Sequence, residues 1–80
     1  MGNDEAVLDQ IKAADGALHW KDFERLMKRK GAKVEERKGS RVAIKYRDVV
    51  LHAHRPHPRK ECGKGLAKRV RQFCKDTQVI

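Results

Sequence analysis

Three histidines fall within six positions in the stretch LHAHRPHPRKECGKG, residues 51–65, and the whole chain has only four. His52, His54 and His57 are interleaved with Arg55, Arg59 and Lys60, and prolines flank the last histidine. Imidazole has an ordinary pKa of about 6.5, which lets it take and return a proton near neutrality. Cleavage of RNA at its own 2′-hydroxyl needs two such transfers. A base deprotonates the hydroxyl as its oxygen attacks phosphorus, and an acid protonates the departing 5′-oxygen. Guanidinium and ammonium groups stabilise the charge that gathers on the phosphoryl oxygens. The route needs no metal, and none is expected: HAHRPH contains no carboxylate, and its arginine opposes a bound cation. No cofactor is expected either.

These side chains need elements to aim them. Residues 49–54 read as a strand, so Val49, Leu51 and Ala53 point one way and Val50, His52 and His54 the other. With the apolar set against a core, His52 and His54 share the open face, their Cβ atoms about 6.5–7 Å apart. His57 is held differently. Pro56 fixes its own φ, and Pro58 pushes His57 towards extended backbone. The expectation is that His54 and His57 converge on one anion held by basic side chains.

Two earlier strands are expected, over 33–38 and 41–47; Val42, Ile44 and Tyr46 alternate with Arg41, Ala43 and Lys45. Short turns at Gly39–Ser40 and Arg47–Asp48 make the three strands an antiparallel meander. HWKDFERLMKRKGA before them places Trp20, Phe23, Leu26 and Met27 on one helical stripe that ends at Gly31. KGLAKRVRQFCKD after them does the same with Leu66, Val70, Phe73 and Cys74. The predicted fold is α+β, in the order helix–strand–strand–strand–helix, with both helices on one face of the sheet. That order is shared with double-stranded-RNA-binding domains. A further short helix over 4–14 carries Val7, Leu8, Ile11 and Ala14. At about three turns it is too short to stand alone, so it docks on the body or on a partner. Residues 1–17 are read as an acidic helical extension and 18–80 as the domain proper.

A net charge of +9 over 80 residues points to an anionic partner, nucleic acid first. The charge is also lopsided: Asp4, Glu5, Asp9 and Asp15 precede a strongly basic remainder. No apolar run approaches the ~18 residues of a membrane span. Cys62 and Cys74 form no CxxC, and no basic-then-apolar leader is present, so the expectation is a cytoplasmic protein with reduced thiols.

Residues 19 to about 77 resemble a HicA-type toxin of the HicA–HicB toxin–antitoxin systems. The resemblance is carried by a helix ending in Lys-x-Gly and a Gly-Ser pair opening the second strand. A Pro-His-Pro follows the third strand, and Gly-Leu-Ala-Lys-x-Val starts the last helix. It implies a double-stranded-RNA-binding-like fold acting as an endoribonuclease on messenger RNA. It also implies a HicB-like antitoxin that covers the active surface, with DNA bound only through that antitoxin. In most of the family a histidine tied to catalysis follows the Gly-Ser pair; here Arg41 stands there. Arginine stays charged and is a poor base, but it can clamp a phosphate through two bonds. The Pro-His-Pro element maps onto Pro56–His57–Pro58 and favours His57 as functional. The catalytic set is therefore read as His54, His57 and Arg41. RNA contacts are expected from Lys38, Ser40, Lys45 and His52, and from Arg55, Arg59, Lys60, Lys64 and Lys68. The alternative is a non-catalytic module that binds double-stranded RNA, or a catalytically silent HicA-like protein.

Overall fold

A computed structural model of the chain describes residues 4–80. The elements run α1 (Asp4–Lys12), α2 (Trp20–Arg29), β1 (Lys33–Glu36), β2 (Arg41–Tyr46), β3 (Val49–His54) and α3 (Gly63–Asp76). The expected α+β order is what forms: a helix, a three-stranded antiparallel sheet in the order β1-β2-β3 and a closing helix, behind an additional N-terminal helix.

Several element ends fall short of expectation, for local reasons. β1 stops at Glu36 because the chain turns at once: the Arg37 N–H donates to the Arg41 carbonyl at 2.9 Å, which leaves Lys38 in the turn. β2 stops at Tyr46 because Arg47 and Asp48 both take left-handed backbone, φ 48° and 63°. That pair makes the two-residue turn whose twist matches an antiparallel hairpin. Neither residue is a glycine, so the turn needs outside support. Arg47 supplies it, lying over the Tyr46 ring at 5.3 Å and donating to the Thr77 carbonyl at 3.3 Å.

Directly opposed residues in an antiparallel pair share a face, so the register sorts the sheet. Val42 opposes Ala53, Ile44 opposes both Val34 and Leu51, and Tyr46 opposes Val49. These apolar residues face the helices. Trp20, Phe23, Leu26 and Met27 of α2 and Ala67, Val70, Phe73 and Cys74 of α3 are buried. Phe23, fully buried, is central: its ring stands 5.1 Å from Trp20 and meets Phe73 edge-on at 6.3 Å. Gly31, at φ +96°, takes the left-handed step that ends α2.

The acidic helix docks on the body. Val7 and Ile11, one turn apart on α1, belong to the same core cluster as Phe23, Ile44 and Val70. Asp4 pairs with Arg29 in the last turn of α2. Beyond α1, Gly16 passes the start of α3 so closely that a Cβ there would stand 3.2 Å from the Lys64 nitrogen. α1 thus joins the helix layer, and the opposite face of the sheet is left uncovered by it.

Candidate active site

The open face carries three cross-strand rows. Arg37, Arg41 and His54 stand at one end, joined by the Arg37 N–H bond to Arg41 and the Arg41–His54 pairing. Glu35, Ala43 and His52 form the middle row, and Lys33, Lys45 and Val50 the far one. Ala43 is fully buried although it lies on this face, because its methyl group sits between the longer side chains of Glu35 and His52.

His54 is exposed, and its Nδ1 stands 3.5 Å from the Ser40 hydroxyl. A serine hydroxyl can accept from Nδ1–H or donate to a bare Nδ1, so it orients the ring in either state and leaves Nε2 for a ligand. His54, His52 and Arg41 line a concavity of about 400 Å³ together with Arg37 and Arg69. Arg69 reaches it from α3, around the edge of β3, and donates to the His52 carbonyl. Three arginines and two histidines thus line one small hollow, with Arg37 also bonded to Glu35.

The other residues expected at the site are distributed differently. His57 is exposed in the loop after β3, where the His57–Pro58 peptide is cis, and it does not line the hollow that holds His54. Lys38 is exposed in the β1–β2 turn. Lys45 is on the open face but bonded to Glu35 at 3.1 Å, which also holds Arg37 at 3.2 Å and Lys33 at 3.4 Å. The hydrogen bond from Lys45 and the charges of both lysines hold the Glu35 carboxyl below its ordinary pKa. With the folded-state pKa lowered, these pairs favour the fold above the ordinary carboxylate pKa and lose that effect as acid protonates Glu35. Arg59 and Lys60 line a separate hollow with Gly16, Pro58, Glu61, Cys62 and Gly63, at the start of α3. Lys64 and Lys68 are exposed along α3 itself.

Arg55 turns inward. Its Nε donates to Glu24 at 2.8 Å and its Nη1 to Glu36 at 2.7 Å, and bonding to Glu24 first and Glu36 second holds it still more firmly in its charged form. Two residues that the sequence reading did not single out, Arg37 and Arg69, are brought to the hollow by register and by the rotation of α3.

Neither cysteine belongs to the hollow. Both thiols are free, and burial pushes Cys62 up to about 11 and Cys74 up to about 12. Thiolate is the reactive form, so both are expected to resist iodoacetamide at pH 8 in the folded protein and to react once it is unfolded. Rapid labelling of the native chain, followed by mass spectrometry, would contradict this burial. Among the described residues no group of three His, Cys, Asp or Glu is placed to hold a metal ion. No helix among them is long and apolar enough to cross a membrane.

A basic open sheet face backed by helices defines an α+β protein with the double-stranded-RNA-binding-like fold. The family model described as HicA toxin of bacterial toxin–antitoxin matches residues 20–79, and the chain belongs to this family. It is therefore a toxin of a toxin–antitoxin family, one whose members are paired with an antitoxin. No curated protein and no solved structure matches the chain.

Proposed function

We propose that this toxin is a metal-independent endoribonuclease that cuts messenger RNA in the cytoplasm, inhibits translation and is silenced by a HicB-like antitoxin. The observation that carries the reading is the cross-strand pair of Arg41 and His54 on the open face, with Ser40 behind the imidazole and His52, Arg37 and Arg69 around the same hollow. Arg41 clamps the scissile phosphate and stabilises its extra charge. His54, held at Nδ1, moves a proton through Nε2. His57, in the position of the family's Pro-His-Pro, is the second proton carrier, which requires its loop to reach the hollow with RNA bound. The 2′-oxygen bonds to phosphorus as the bond to the 5′-oxygen breaks, the base takes the 2′ proton and the acid supplies one to the leaving oxygen. The product is a 2′,3′-cyclic phosphate and a free 5′-hydroxyl.

Incubating a messenger transcript with antitoxin-free protein in excess chelator tests the reading. New fragments ending in cyclic phosphate are expected, and intact RNA would reject it. A non-catalytic reading is favoured by one observation, the arginine at position 41 where the family's histidine is usual. It predicts intact RNA bound with steep salt dependence.

A further inference from the structure

Glu24 is a carboxylate on the buried face of an amphipathic helix, 9% exposed, where the spacing of α2 calls for an apolar residue. An ion in such a place is tolerated only when its bonds are made. They are made here: the Trp20 indole N–H donates to Glu24 Oε1 at 2.6 Å, and Arg55 Nε donates to the same oxygen at 2.8 Å. Arg55 reaches on to Glu36 at 2.7 Å, and its backbone N–H donates to the Ser40 carbonyl at 2.8 Å. One residue therefore ties α2, the end of β1 and the turn before β2 to the exit of β3.

That residue stands between His54 and Pro56–His57–Pro58. Because side chains alternate along a strand, seating Arg55 inward presents His54 outward beside Ser40 and Arg41. The far end of the same loop is fastened to the start of α2 as well. The Trp20 N–H donates to the Lys60 carbonyl at 3.0 Å, the Cys62 N–H to the Leu18 carbonyl at 2.8 Å, and His19 pairs with Glu61. The loop bearing His57 is thus closed at both ends on the first turns of α2.

We infer that Arg55 and Glu24 are positioning residues of the proposed ribonuclease site, a half-buried clamp that sets His54 and the His57 loop, and that Arg55 is not an RNA contact. The inference rests on the ribonuclease reading for its kinetic consequence but not for its structural one. Arg55→Met is expected to lower kcat by about 10-fold or more, the loss that a misplaced reacting group brings. KM and the affinity for uncleavable 2′-O-methyl RNA should stay within about 3-fold, and Arg55→Lys, which keeps the charge near Glu24, should restore part of kcat. Nitrogen-15 spectra of the imidazoles should show His54 and His57 displaced and His52 much less so. If Arg55→Met fails to fold, Glu24→Met with Arg55→Met replaces the half-buried pair by apolar chains and serves the same test. Weaker RNA binding with a salt slope lowered by about one would make Arg55 a phosphate contact and overturn the inference. Wild-type protein that leaves RNA intact would reject the ribonuclease reading instead. The imidazole spectra then decide alone: unmoved His54 and His57 signals overturn the clamp, and displaced ones support it.

Discussion

Replacing His54 with alanine is expected to lower the rate of RNA cleavage by about 100-fold or more, the ordinary weight of one positioned proton carrier. Binding of uncleavable RNA should change little, because Arg37, Arg41 and Arg69 remain around the hollow. The matching result for Arg41→Ala is weaker binding and slower cleavage together, since a phosphate clamp acts before and during the reaction. His57→Ala distinguishes two arrangements of the second proton. A loss comparable to that of His54→Ala makes His57 the partner, which requires its loop to reach the hollow with RNA bound. An unchanged rate in His57→Ala beside a large loss in His52→Ala assigns that proton to His52, which already lines the hollow. Full activity in His54→Ala would remove the cross-strand pair from the mechanism.

The second large effect lies far from the chemistry. Ile11 is fully buried, yet it belongs to α1, which precedes the residues matched by the family. Ile11→Ala is expected to cost about 2–5 kcal/mol, the range for truncating a core aliphatic side chain. A small domain has only about 5–15 kcal/mol in total. At about 4–8 °C per kcal/mol for a chain of this size, melting falls by about 8–40 °C. Lys12→Ala, one position away and exposed, should leave the melting temperature nearly unchanged. Circular dichroism melts of the two variants decide the matter. Equal melting temperatures would mean that α1 does not close the core in solution. Together with the packing of α1 in the helix layer, the expected result makes the acidic helix a structural part of this chain, placed where it does not mask the open face.

Much of this molecule is written in local patterns. The two-residue alternation of Val49–His54 places His52 and His54 on the face opposite Leu51 and Ala53, as the register shows. The spacing of Trp20, Phe23, Leu26 and Met27 makes one buried stripe of α2. Extended into residue 55, the same alternation turns Arg55 inward, but its place in a basic run read as an RNA contact. Its acceptors lie 31 and 19 positions away, in α2 and β1. Arg37 and Arg69 escaped notice for the same reason. One reaches the hollow through the register of β1 on β2, the other by wrapping from α3 around a sheet edge. Pleat and helical period are properties of a few adjacent residues, so composition and spacing alone determined the elements and the outward aim of the strand histidines. Which charges meet depends on how distant segments pack, and only the tertiary structure decided that Arg55 serves Glu24 while Arg37 and Arg69 join Arg41 and His54.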